Sequence, residues 1–196
     1  MLLEKIKDYH LILATQSPRR HFLMKEAGFE FETIIPEGIE EIYPETLKKE
    51  EIPIFLAELK ASLFEGKLKT NDILITADTI VYLDNNVLGK PVDRVDAIDM
   101  LTKLSGRSHD VYTGVCFLSS NKKHSFSAIS TVYFRDFSGS EIHYYVDKYK
   151  PYDKAGAYGA QEWIGYVGIE HIEGSYFNVM GLPIQKLYEE LEKFIE

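Results

Sequence analysis

The hydrophobic pattern changes period several times along the chain, and each change predicts an element. The five residues "HLILA" (10–14) form a short apolar run of strand length. Ser17 and Pro18 then open a helix with an apolar side at Phe22, Leu23, Met24 and Ala27, and Gly28 stops it. "FEFETIIP" alternates and predicts a second strand, followed by a polar, acidic loop, "EGIEEIYPETLKKEEIP". Ile52, Phe55, Leu56, Leu59 and Leu63 recur at helical spacing, and Gly66 closes that helix. "DILITADTIVYLD" is nearly unbroken apolar sequence, as expected of a central strand covered on both faces. "DNN" turns it back toward "VLGKPV" in a possible hairpin. Asp93 caps a helix carrying Ala97, Ile98, Leu101 and Leu104, which Gly106 stops.

In the second half, "HDVYTGVCFLS" and "HSFSAISTVYFR" flank "SNKK" as an antiparallel pair. Ser138 and Glu141 make a capping box before the stripe Ile142, Tyr145, Val146 and Tyr149. A Gly-rich loop leads to "WIGYVGIEHIEG", which reads as strand. "LPIQKLYEELEKF" is a final amphipathic helix with Pro183 near its start. Strands and helices interleave, but at least one hairpin interrupts a pure βαβ pattern. The pattern therefore predicts a mixed α/β sheet with flanking helices, in one domain over 1–196.

Composition narrows the partners. A net charge of −9 disfavours nonspecific binding to nucleic acid or to anionic membrane, so any anion site is a local cationic pocket. The single cysteine, Cys116, excludes an intrachain disulfide and sits in the apolar "VCFL", where packing is its expected role. No secretory signal or spanning segment is evident, and the chain reads as cytoplasmic. Six dispersed histidines show no zinc-ligand spacing.

Against this background a few charged residues stand out. Arg19 and Arg20 lie in the first turn of a helix, the positive end of its dipole, where acidic residues are preferred. They are either solvated or answer an anion bound at the free N–H groups and the Ser17 hydroxyl. Asp78 lies in the middle of an apolar strand, where a carboxylate is costly unless paired, hydrogen-bonded or on a metal. Lys90, between Gly89 and Pro91, is aimed by a fixed loop or is an ordinary surface lysine. Lys60 borders an apolar stripe, where lysines commonly snorkel. Glu40 and Glu41 belong to a loop whose acidity also serves solubility. "DKAGAYGAQ" admits a flat ligand close to its backbone or is simply a connector, and Gln161 ends it with an amide that both donates and accepts. Together these residues offer cations for phosphate oxygens and carboxylates for a water or hard metal, the inventory of phosphoryl chemistry.

"LILATQSPRR", "ADTIV", "LGKP", "MLTKLSGRSHDVYTGV", "DKAGAYGAQ" and "GSYFNVMGLPI" occur in that order, and with them the chain resembles the Maf family of nucleoside triphosphate pyrophosphatases from about Leu11 to about Leu191. The resemblance implies a twisted mixed sheet with a deep cleft between two lobes, similar to the inosine triphosphate pyrophosphatases. It implies hydrolysis of a nucleoside triphosphate to monophosphate and pyrophosphate with a divalent cation, magnesium or manganese. It further implies a role in cleaning the nucleotide pool, a link to arrest of cell division and a homodimer. Carried over residue by residue, it makes Asp78 the general base and, with Glu40, a metal ligand. Ser17, Arg19, Arg20, Lys60 and Lys90 become phosphate contacts. Arg19, Thr79 and Gln161 match the positions that separate subgroups, and their identities resemble the subgroup acting on dTTP and UTP. The alternatives are a pyrophosphatase of 7-methyl-GTP or noncanonical nucleotides, and a nucleotide-binding septum regulator with little turnover. Thr15, Thr76 and Ala160 depart from the commonest family pattern.

Overall fold

The computed structural model describes all 196 residues. The strands are β1 (His10–Ala14), β2 (Glu32–Ile34), β3 (Asp72–Leu83), β4 (Asn86–Leu88), β5 (Ser108–Leu118), β6 (Lys123–Phe134) and β7 (Ile169–Gly174). The helices are α1 (Leu2–Lys5), α2 (Pro18–Glu26), α3 (Glu51–Ser62), α4 (Arg94–Leu104), α5 (Gly139–Tyr149), α6 (Trp163–Gly168), α7 (Tyr176–Val179) and α8 (Ile184–Ile195). The strand order is β2-β1-β3-β5-β6-β7, with β4 pairing the end of β3. β1 runs parallel to both β2 and β3, whereas β3 with β4 and β6 with β7 are antiparallel, so the sheet is mixed as expected. No helix is long and apolar enough to cross a membrane.

Two compact units share these elements. The first comprises Met1–Asp78, Thr113–Ala128 and Gly181–Glu196; the second comprises Thr79–Tyr112 and Ile129–Met180. In the first, Ala57 and Ala61 of α3 pack on Ile12, Ala14, Leu74, Cys116 and Leu118. The small alanines let the helix lie close to the sheet, and Gly114 lets it lie closer still: a Cβ there would stand 2.3 Å from the Pro53 carbonyl group. Cys116 is buried and forms no disulfide, as its apolar surroundings suggest. In the second, Val81, Val111, Val132 and Phe134 meet Leu101 and Leu104 of α4 and Ile142, Tyr145 and Val146 of α5.

Local signals account for most boundaries. The 84–85 turn has φ of 51° at Asp84 and 63° at Asn85, the left-handed pair that a tight hairpin requires and Asp and Asn tolerate. Asp93 accepts from the Asp96 N–H, and Ser138 and Glu141 form the expected reciprocal box. Three readings need correction. α2 buries Leu23 and Met24 but turns Phe22 to solvent, because the three consecutive positions span too wide an arc for one helix face. The second strand shrinks to Glu32–Ile34. "WIGYVG" is helix, and only "IEHIEG" is strand. Gly165 and Gly168 explain this last case, since Cβ atoms there would meet the Ala160 carbonyl oxygen at 2.0 Å and the Phe137 ring at 2.2 Å. Close packing available only to glycine overrides the strand propensity of Ile, Tyr and Val.

Candidate active site

In the first unit, four elements bring charged groups together. β3 carries Asp78 at the end of its doubly covered stretch, and the residue is only 8% exposed. The last turn of α3 carries Lys60, whose ammonium donates to Asp78 Oδ1. The same ammonium lies 2.8 Å from Glu41 Oε1 in the acidic loop, so one lysine bridges two carboxylates. Arg20, in the first turn of α2, donates from Nε to the Gly181 carbonyl and from Nη1 to the Ala77 carbonyl, each at 2.8 Å. Burial pushes the Arg20 guanidinium down from its ordinary value, and nearby Arg19 adds to this. The carboxylates of Asp78 and Glu41 pull the other way.

Backbone-level contacts fix this geometry. Thr76, two residues before Asp78, is fully buried and donates from its hydroxyl to the Ala57 carbonyl at 2.7 Å, pinning α3 one turn before Lys60. The Thr76 departure from the family pattern is thus spent on the helix that carries the lysine. Thr15 plays a similar local part: its hydroxyl accepts the Ser17 N–H at 3.1 Å, holding the entry to α2. Ser17 is the N-cap, yet its own hydroxyl makes no capping bond.

In the second unit, the loop 153–161 is tied down along its length. Gly156, at φ 68°, donates its N–H to the Gly89 carbonyl at 3.0 Å, which joins this loop to the one carrying Lys90. Tyr158 and His109 Nε2 lie 2.7 Å apart in an aromatic nest with Phe134. Burial holds His109 near a pKa of about 3, so the ring is neutral. The side-chain oxygen of Gln161, Oε1, is buried and has no hydrogen-bond partner. A buried amide oxygen without a donor is costly, and satisfied protein interiors rarely keep one.

Thus Ser17, Arg19, Arg20, Lys60 and Asp78 belong to the first unit, while Thr79, Lys90 and Gln161 belong to the second. Arg20, Lys60 and Asp78 are joined by the contacts above; Arg19 is half-buried and Lys90 is exposed. Glu40 is exposed in the acidic loop, and its neighbour Glu41 is the residue on Lys60. Two adjacent glutamates in a loop carry no periodic signal that would separate them. The sequence therefore places Glu40 and Glu41 together in the acidic loop without distinguishing them, and it does not single out Lys154 and Glu162, which pair beside the Gly-rich loop. No group of three or more His, Cys, Asp or Glu side chains is arranged to cage a metal ion. The two carboxylates converging on Lys60 are nonetheless hard oxygen donors, and magnesium needs only one or two of these when a nucleotide supplies phosphate oxygens. The donor set fits such an ion.

A buried carboxylate paired with a lysine, near an arginine braced on two carbonyls, sits on the mixed sheet of an α/β protein. Its architecture is also that of a solved HAM1 protein from Coxiella burnetii, which superposes with a TM-score of 0.52 over 94% of this chain and 99% of that one; at 15% identity the likeness is one of fold. The chain belongs to the Maf-like protein family, whose model matches residues 10–194. Among its relatives, a protein of Phocaeicola vulgatus named dTTP/UTP pyrophosphatase is 52% identical over 192 residues, covering 98% of this chain and all of the relative. One of the same name from Flavobacterium johnsoniae is 49% identical over 195 residues and covers both chains completely.

Proposed function

We propose that this protein hydrolyses dTTP and UTP to the nucleoside monophosphate and pyrophosphate. The observation that carries the reading is Asp78, a buried carboxylate held by Lys60 in a chain about half identical to relatives named for that activity. Asp78 takes a proton from a water that attacks the α-phosphorus. A new P–O bond forms there as the bond to the bridging oxygen breaks, and pyrophosphate leaves. Lys60 is the ammonium that changes partner: a triphosphate carries more negative charge than the Asp78 and Glu41 carboxylates together. Arg19 and Lys90 are the further cations for phosphate oxygens, with Ser17 at the α2 N-terminus. Arg20 shapes this surface while its guanidinium is braced on two carbonyls. Asp78 and a loop carboxylate, Glu40 or the Lys60-paired Glu41, would hold the divalent cation, which when bound would neutralise charge on the phosphates.

Base selection falls to Arg19, Thr79 and Gln161. Uracil and thymine each present one ring N–H between two carbonyls, and the partnerless Gln161 Oε1 is an acceptor for that N–H. Cytosine presents a ring nitrogen acceptor at the same place, so CTP leaves the oxygen unmet and is rejected.

Pyrophosphate release across dTTP, UTP, CTP, dGTP, 7-methyl-GTP and inosine triphosphate, with magnesium and with manganese, tests the proposal. dTTP and UTP should lead, with UMP the first product from UTP. UDP as first product, or a preference for a purine, would overturn it.

A further inference from the structure

Gln161 is on a loop, and loops seldom hold a side chain to the tolerance that base selection needs. This loop is braced by a buried polar chain that the reaction itself does not use. Lys154 is a lysine with a side chain only 9% exposed, and its ammonium lies 3.1 Å from Glu162 Oε1. The other carboxylate oxygen of Glu162 accepts the hydroxyl proton of Tyr145, a fully buried residue of α5. The same hydroxyl oxygen accepts the backbone N–H of Gly159 at 3.0 Å. Burial, followed by the bond to Glu162, raises the Tyr145 phenol above its ordinary value. The Glu162 N–H then donates back to the Gly159 carbonyl at 3.0 Å, which closes the turn 159–162 around Gln161.

The turn has no slack. A Cβ at Gly159 would stand 2.9 Å from the Glu162 carboxyl carbon and 3.2 Å from Gln161 Nε2. One at Gly165 would strike the Ala160 carbonyl oxygen. Gln161 is therefore flanked on both sides by residues whose backbone positions are set by the phenol, the carboxylate and the close-packed start of α6.

Lys154 is buried and Glu162 half-buried, and desolvating such a pair is costly, so it is a poor source of net stability. What it does supply is the geometry of the turn. We propose that Tyr145, with Glu162 and Lys154 behind it, is a positioning residue for base selection: it fixes the 159–162 turn so that the Gln161 amide keeps the one orientation that selects a uracil or thymine nucleotide. The proposal rests on the reading of Gln161 given above. Tyr145 touches no substrate and acts only through the turn.

The test compares UTP with CTP, which share size, sugar and phosphates and differ at the base edge. Tyr145→Phe removes the hydroxyl that links Gly159 to Glu162. The ratio of kcat/KM for UTP over CTP should fall about tenfold, as expected for one lost directing interaction. The loss should appear in KM for UTP, with kcat at saturation and both CTP constants little changed. Glu162→Gln keeps an oxygen acceptor for the phenol and should preserve the ratio within about threefold. Gln161→Ala should lower the ratio at least as far as Tyr145→Phe, and the double variant should fall no further than Gln161→Ala alone. An unchanged ratio in Tyr145→Phe, alongside a collapsed ratio in Gln161→Ala, would overturn the positioning role and leave the base reading intact. Additive losses in the double variant would also overturn it. An unchanged ratio in Gln161→Ala would remove the base reading itself. If Tyr145→Phe does not fold, Lys154→Met carries the same expectation, since it strips Glu162 of its counter-ion. A lowered melting temperature with an unchanged ratio in that variant would show a structural role only.

Discussion

The surroundings of Asp78 and of Gln161 handle buried polar atoms in opposite ways. Around Asp78 the aspartate and its lysine sit on regular elements, a strand and a helix, and the charges satisfy one another: Lys60 serves Asp78 and the loop residue Glu41 at once. Around Gln161 the key atom sits on a loop and is left unsatisfied, while its neighbours are bonded to excess. The first arrangement suits a group that must exchange partners, because an ion pair can be traded for a phosphate. The second suits a group that must discriminate, because an unmet acceptor penalises every ligand that cannot donate to it. Under the proposed function, the chemistry common to all nucleotides draws on the first kind of region, and the contribution of Gln161 to selection on the second.

The sharpest way to break the comparison is at Asp78. Asp78→Asn keeps the shape and removes the charge, so turnover should fall by roughly 10²–10⁴ for UTP and CTP alike, with nucleotide binding retained. Single-turnover rates and a thermal melt on the same preparation decide it. A stable, fully active variant would reduce Asp78 to a structural carboxylate.

Gly114→Ala probes the regular scaffold. The added methyl would have to enter space held by the Pro53 and Ile54 backbone, pushing α3 and Lys60 away from β3. A destabilisation of about 1–3 kcal/mol in denaturant unfolding is expected. Activity should drop for every base together. A change in the UTP to CTP ratio would show that the two regions are not separable as described.

The smallest effect concerns pH and stability alone. Burial on its own would raise the Asp72 carboxyl. The Lys69 N–H at 2.8 Å and the His10 ring at 3.0 Å outweigh it and hold the group below its usual range. Because the folded value lies below the unfolded one, near 3.9, Asp72 stabilises the fold above that pH. That contribution fades as pH falls through the folded value. Asp72→Asn should therefore melt below the wild type from neutral pH down to about 5, and the gap should narrow in stronger acid. A gap independent of pH would mean the carboxyl titrates alike in both states.

The legible parts of the sequence were those where one residue's chemistry conflicts with its own neighbourhood. Asp78 in an apolar run and two arginines at a helix start are such conflicts, and so is a Gly-rich loop ending in Gln161. The elements were legible where burial is periodic, as in β3, or where a cap is written locally, as at Ser138 and Glu141. What escaped depends on contacts distant in sequence. Lys154 beside Asp153 looks like any surface charge pair, and only folding puts it against Glu162. Tyr145 sits in a regular helical stripe that gives no hint its hydroxyl has two partners. α6 escaped because its helical form depends on two glycines meeting surfaces supplied from elsewhere in the chain.

The boundary between the two units falls on the peptide bond between Asp78 and Thr79. The proposed base therefore ends one unit and a proposed selectivity residue begins the other. β5 and β6 also cross, at Tyr112–Thr113 and Ala128–Ile129, so three of the four crossings cut through strands. Exchanging one unit whole would therefore sever three hydrogen-bonded strands. A designer seeking a different base is better served by point changes, or by loop grafts confined to one unit, than by exchange of a whole unit.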